Sequence, residues 1–131
     1  MIMNVGQLVV KKMVSLPITS SIREVAQVMR ENDVSSVVLT NERGEIVAIV
    51  TERDITRAVA DGLDYSTPAG KIGKGPVISV DRDLPLFEAL ELMGEKKIRH
   101  LLVKDKDQPL GIVSLREIAN TISLMNFADS Y

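Results

Sequence analysis

The stretch VAIVTERDI at residues 47–55 recurs as LGIVSLREI at residues 110–118. Each stretch begins with a run of apolar, largely β-branched residues, which is typical of a buried strand. Each run ends at a hydroxyl residue, and a carboxylate follows three positions later, as at the beginning of a helix. A strand that leads directly into a helix, present in two copies, indicates that the chain is built from an internal repeat.

The repeat extends over most of the chain at one nearly constant offset. The matched positions include glycine, glutamate, methionine and arginine: Gly6 and Gly70, Glu24 and Glu88, Met29 and Met93, and Arg53 and Arg116. Because polar and glycine positions match as well as apolar ones, the likeness exceeds what two unrelated amphipathic units share. We predict two repeats, residues 5–61 and 69–124, joined near Asp61 to Pro68, where turn-forming residues gather.

Each repeat is predicted to run β-α-β-β-α, which gives an α/β (α+β) fold. In the first repeat, Ser21 and Glu24 have the spacing of a helix cap, and Pro85 suits the beginning of the matching helix. Apolar residues at helical spacing follow: Ile22, Val25, Ala26 and Met29 in one copy, and Leu86, Ala89, Leu90 and Met93 in the other. Since units of roughly 60 residues bury only a modest core alone, we expect the copies to pack as a pseudo-twofold pair with a central cleft.

Composition excludes several classes of function. The 131 residues include no Cys and one His, which argues against a disulfide, a thiolate nucleophile or a His-rich metal site. A net charge of −2 and 3% aromatic residues argue against nucleic-acid binding. No apolar run approaches the roughly 20 residues of a membrane span, and no signal peptide is evident, so we predict a cytoplasmic protein without membrane contact.

The hydroxyl and carboxylate residues of the recurring stretch have two interpretations. Thr51 with Asp54, and Ser114 with Glu117, have the spacing of a capping box, which is a purely structural role. The same groups at a helix N-terminus can also bind a nucleotide, because free N–H groups favour phosphate and a carboxylate accepts hydrogen bonds from ribose hydroxyls. The spacing alone leaves both interpretations open.

Three motifs, taken together, resemble those of a tandem CBS-domain pair, also called a Bateman module. They are IRHLLV at residues 98–103, GIVS with REI at residues 111–118, and AIVT with RDI at residues 48–55. The resemblance runs from about Val5 to about Ile122, so the chain is similar to the stand-alone CBS-pair proteins of prokaryotes. Two residues depart from the family pattern: Glu117 replaces the usual Asp, and Ala48 replaces a Gly and is expected to crowd its strand.

The resemblance implies two ligand clefts, each formed by both repeats. The ligands that the resemblance implies are adenosine derivatives: AMP, ADP, ATP, NAD(H) or S-adenosylmethionine. Basic residues at Arg99 and His100 are expected to face phosphate, although an ion pair at the surface and a half-buried packing role explain them equally well. One cleft would use Thr51, Asp54, Leu84, Ala89, Ile98 and Arg99, and the other Ser114, Glu117, Ser20, Val25, Val34 and Ser35.

The predicted function is regulatory ligand sensing, without catalytic residues, a metal or an obligatory cofactor. The resemblance also implies a homodimer and an unidentified regulated protein as partners. The alternatives are a structural adaptor with empty clefts, an enzyme acting on a bound phosphate, and a nucleic-acid-binding unit. The glycine-rich segment Gly70 to Gly75 lacks the spacing of a phosphate loop, so we interpret it as the start of the second repeat instead of a phosphate or RNA clamp.

Overall fold

A computed structural model describes residues 3–129, with side chains up to residue 125. The chain divides into two compact units. The central unit comprises Met13–Val77, and the terminal unit combines the described residues up to Lys12 with those from Ile78 onward. No helix in the described residues is long and apolar enough to span a bilayer.

The central unit contains a three-stranded sheet with two helices packed against it. Strands lie in the order β1-β2-β3, with β1 parallel to β2 and β2 antiparallel to β3. Its core is aliphatic, as the composition predicts, and includes Val25, Val37 and Val50. The elements are β1 (Ser15–Pro17), α1 (Ile22–Asn32), β2 (Ser36–Thr40), β3 (Ile46–Thr51) and α2 (Glu52–Ala60).

The terminal unit repeats this topology. Its strands lie in the order β4-β5-β6, again with one parallel and one antiparallel pair. Leu101, Val113 and Ile118 are fully buried in its core. The elements are β4 (Ser79–Asp81), α3 (Leu86–Lys96), β5 (His100–Asp105), β6 (Gln108–Ser114) and α4 (Leu115–Asp129). The predicted mixed α/β class and the repeated β-α-β-β-α order are therefore confirmed.

Strand β2 begins later than its sequence predicts. The valine-rich run at residues 34–39 predicts a strand from Val34, whereas β2 begins at Ser36. The reason is the end of α1: Asp33 adopts the left-handed conformation (φ 51°), and the Val34 N–H donates to the Met29 carbonyl to close the helix. Val34 therefore belongs to the helix terminus, although it is apolar and β-branched.

The single-turn 3-10 helix at the beginning of each repeat lies in the unit that contains the sheet of the other repeat. The helix Val5–Leu8 lies in the terminal unit, where the Val5 N–H donates to the Leu84 carbonyl at 2.9 Å. The helix Ala69–Lys71 lies in the central unit, where the Ala69 N–H donates to the Ser20 carbonyl at 2.6 Å. These are matching positions of the repeat, so each repeat contributes its first turn to the core of the unit that holds the other repeat's sheet.

Where each of these segments contacts a strand, a glycine on one side faces a larger residue on the other. In the central unit Gly73 contacts Ala48, and a Cβ at Gly73 would lie 3.2 Å from the Ala48 Cβ and 3.0 Å from Leu39 Cδ1. In the terminal unit the matching residues are exchanged, and a Cβ at Gly111 would lie 2.5 Å from Val9 Cγ1. Ala48 therefore does not crowd its strand, because Gly73 leaves the space that it needs.

The substitution Gly73→Val is expected to overpack the central unit and to lower its free energy of unfolding by about 1–3 kcal/mol. Adding Ala48→Gly reproduces the arrangement of the terminal unit, so the double variant should recover part of this loss. Urea denaturation of the two single variants and the double variant measures the coupling. Strictly additive effects would contradict the contact.

Candidate functional site

A buried carboxylate lies at the beginning of α2. Asp54 is only 5% exposed, and its Oδ2 accepts hydrogen bonds from the Thr51 N–H at 2.9 Å and from the Thr51 hydroxyl at 3.1 Å. Strand β3 ends in extended geometry at Thr51 and continues directly into the helix, so the side chain three residues later reaches back. The capping interpretation is confirmed, and a first-turn carboxylate also interacts favourably with the helix dipole.

Lys74 approaches the same carboxylate from the glycine-rich segment. Its Nζ lies 3.4 Å from Asp54 Oδ1. The backbone of Lys74 pairs with that of Ile49 through two hydrogen bonds of 2.9 Å, one in each direction. Gly75 permits this approach, because a Cβ there would collide with the Val47 carbonyl oxygen. The sequence pattern interprets the segment Gly70 to Gly75 as the start of the second repeat. This segment also supplies a cation, Lys74, to Asp54.

The matching motif in the terminal unit is differently placed. The Ser114 N–H donates to Glu117 Oε1, and the Glu117 N–H donates to the Ser114 hydroxyl, each at 3.1 Å. This is a reciprocal capping box, but the Glu117 side chain is exposed where that of Asp54 is buried. At the repeat position of Lys74 stands Val10, which is 82% exposed. The two motifs share their capping geometry and differ in burial and in charge.

Other predicted site residues lie beside these motifs within their own units. In the central unit, the Ser35 carbonyl accepts a hydrogen bond of 3.1 Å from Glu52, the first residue of α2. In the terminal unit, the Arg99 carbonyl accepts a hydrogen bond of 2.8 Å from the first residue of α4, and His100 pairs with Ser114 in the sheet. Arg99 is exposed and His100 is half-buried. The assignment of these residues to clefts across the repeats stays a prediction.

The remaining predicted residues form the proposed adenine-facing wall. Val25 and Ala89 are fully buried and belong to the hydrophobic cores of their units. Ser20 is 8% exposed, and its carbonyl accepts the hydrogen bond from Ala69. Half-buried residues packed against the cores complete the set: Val34 in the central unit, and Leu84 and Ile98 in the terminal unit. Their contact with a ligand stays a prediction.

A groove of about 950 Å³ lies elsewhere on the central unit, and neither Thr51 nor Asp54 lines it. Two pairs of its polar residues are joined by hydrogen bonds, Ser21 with Glu24 and Ser66 with Asp64. The hydroxyl and N–H of Ser66 donate to Asp64, and these hydrogen bonds lower the pKa of that carboxyl below its ordinary value. The groove is therefore separate from the candidate site. Its lining comprises Thr19, Ser21, Arg23, Glu24, Val59, Gly62, Leu63, Asp64, Tyr65 and Ser66.

Comparison with known proteins identifies the family. The model of the CBS domain matches this chain twice, at residues 5–61 and at residues 69–124. The chain belongs to the CBS domain family. An uncharacterized protein of Methanopyrus kandleri is 35% identical over 118 residues, a match that covers 88% of this chain and 60% of that protein.

Solved structures of CBS domain proteins have the same fold. A CBS domain protein from Pyrobaculum aerophilum, complexed with AMP, is 40% identical with a TM-score of 0.76, and the match covers 88% of this chain and 89% of that one. A CBS domain pair in complex with 5′-methylthioadenosine and S-adenosyl-L-methionine has a TM-score of 0.78 and covers 94% and 98%. Its identity of 23% supports the fold alone.

No group of three or more His, Asp or Glu side chains able to hold a metal ion occurs between residues 3 and 129, as far as the side chains are described. Within the central unit, the polar side chains of the candidate site are those of Thr51, Asp54 and Lys74.

Proposed function

We propose that this chain is a regulatory module that binds an adenosine-containing ligand, with AMP as the first candidate, at Thr51 and Asp54. The observation that carries the proposal is the buried Asp54 carboxylate at the beginning of α2, held beside a hydroxyl and a cation. Membership of the CBS family and the AMP complex of the 40% identical relative support the choice of ligand.

The donors and acceptors of this site fit the proposed ligand. A carboxylate has about four positions for accepting hydrogen bonds. Asp54 uses two of them on Oδ2 for Thr51, and the Lys74 ammonium lies 3.4 Å from Oδ1. A ribose hydroxyl can occupy a remaining position or exchange with the lysine. The beginning of α2 adds a partial positive charge, which favours the phosphate of a nucleotide.

The kind of groups that are present supports a regulatory role. The site offers groups that orient and hold a ligand, and the carboxylate is already engaged by its own helix cap, which suits binding better than proton transfer. Binding would act by population shift, because a ligand stabilises whichever arrangement of the chain it contacts best. The homodimer, the regulated partner and the cytoplasmic location remain predictions.

Isothermal titration of nucleotide-free protein with AMP, ATP, NADH and S-adenosylmethionine tests this function. We expect saturable binding of AMP. The affinities for ATP, NADH and S-adenosylmethionine relative to AMP rank the ligand classes. Binding of none of the four would contradict the proposal and favour the adaptor function. Turnover of a bound nucleotide would contradict the regulatory role.

A further inference from the structure

Lys74 has a fixed place in the central unit, although its side chain is exposed. Its backbone is bridged to Ile49 by two hydrogen bonds, and Gly73 next to it packs against the core of the sheet. The lysine side chain is 64% exposed while the Asp54 side chain that it meets is 4% exposed. The fold therefore fixes the backbone of a lysine whose exposed ammonium forms an ion pair with a buried carboxylate.

The two oxygens of Asp54 have different partners. Both groups of Thr51 donate to Oδ2, whereas Lys74 lies at Oδ1. Because Oδ1 receives no hydrogen bond from Thr51, it is the oxygen at which a ribose hydroxyl can take the place of the lysine. Ammonium carries three N–H donors and accepts nothing, so a lysine that yields Oδ1 must find another acceptor. An anionic group on the same ligand is the acceptor that best matches its charge.

The terminal unit shows what the motif looks like without this lysine. At the matching repeat position Val10 is apolar and 82% exposed, and the matching acid, Glu117, is exposed. The capping hydrogen bonds between Ser114 and Glu117 form nonetheless. The capping hydrogen bonds therefore form without a lysine at this position, so Lys74 is not needed for the helix cap.

We propose that Lys74 makes the Thr51–Asp54 site select anionic adenosine ligands, such as nucleoside phosphates, over uncharged ones. Lys74 neutralises Asp54 in the unliganded chain and turns to the anionic group when a ribose hydroxyl takes its place at Oδ1. This inference rests on the proposed function, and it names the ligand class of that site.

The test compares the affinities for AMP and for adenosine of the wild-type chain and of Lys74→Met, which keeps the apolar stem and removes the charge. We expect the affinity for AMP to fall about tenfold, which corresponds to about 1.4 kcal/mol. The affinity for adenosine should change by less than about threefold, because adenosine loses no ionic contact. Lys71→Met is the matched control, since Lys71 is an exposed lysine on the same segment, and both affinities should be unchanged.

Each outcome separates this role from the proposed function. An unchanged ratio of the AMP and adenosine affinities in Lys74→Met would overturn the role of the lysine and leave the adenosine site in place. Equal losses for both ligands would also overturn it, because they would mean that Lys74 only positions Asp54. Absence of AMP and adenosine binding by the wild-type chain would overturn the proposed function and this inference together. Thermal unfolding of both variants shows whether they are folded.

Discussion

Replacing Val5 with Asp is expected to lower the free energy of unfolding by about 3 kcal/mol or more, because an ionised carboxylate would be buried without a partner. Val5 is 0% exposed, and its 3-10 helix packs into the core of the terminal unit. Its backbone N–H is bonded to Leu84, so the segment cannot move out without losing that bond. Urea denaturation measures the change.

Val10→Asp is the matched control for this prediction. Val10 lies five positions further along the same segment and is 82% exposed, so the same substitution should change stability by no more than about 0.5 kcal/mol. Amide hydrogen exchange shows which unit is destabilised. In Val5→Asp we expect protection to decrease in residues 78–125 before it decreases in residues 13–77. Equal stability of the two variants would contradict the packing of Val5.

Replacing Asp54 with Ala is expected to weaken AMP binding by about tenfold to a hundredfold. The physical reason is the loss of hydrogen bonds to a charged acceptor, each worth about 1.5–3 kcal/mol. The variant also loses the acceptor of the Thr51 N–H at the beginning of α2, so a stability loss of about 1 kcal/mol should accompany the binding defect. Isothermal titration gives the affinity, and thermal unfolding confirms that the variant is folded.

Glu117→Ala in the terminal unit controls for loss of a capping carboxylate. It removes the matching capping hydrogen bond, so it should also lower stability, but by no more than Asp54→Ala does, because Glu117 is exposed. Its effect on AMP affinity should be less than about threefold, since the ligand is proposed to bind at Asp54. A larger loss in Glu117→Ala than in Asp54→Ala would place the ligand at the other motif.

Much of the fold follows from the sequence because its patterns are local. The recurring strand-to-helix stretch, the Ser21–Glu24 cap and the helical spacing of apolar residues each depend on neighbours a few positions apart. Such contacts form wherever the segment lies in the chain. For the same reason, the capping role of Thr51 and Asp54 could be inferred before their coordinates were known.

The exchange of the first turns between units does not follow from the sequence. Val5 and Ala69 hold matching positions, and each would fill the same apolar space in either unit. The apolar pattern is therefore the same whether a repeat keeps its own first turn or gives it to the other. Only the complementary sizes of Gly73 with Ala48 and of Val9 with Gly111 carry a signal of the contact.

The ion pair of Lys74 with Asp54 could not be predicted from the sequence pattern either. Its repeat partner is Val10, so the comparison of the two copies marks no shared charge at this position. Its distance along the chain from Asp54 matches no helix or strand period. The ion pair arises because Gly75 lets the segment lie against β3, which is a long-range contact.

Backbone amide resonances of the ¹⁵N-labelled 131-residue chain, followed during titration with AMP, test the central claim most directly. We predict saturating shifts at the amides of Thr51, Glu52 and Asp54, with the same midpoint as the calorimetric titration. Saturable AMP binding that leaves these three amides unmoved, or no saturable binding at all, would contradict an adenosine site at the beginning of α2.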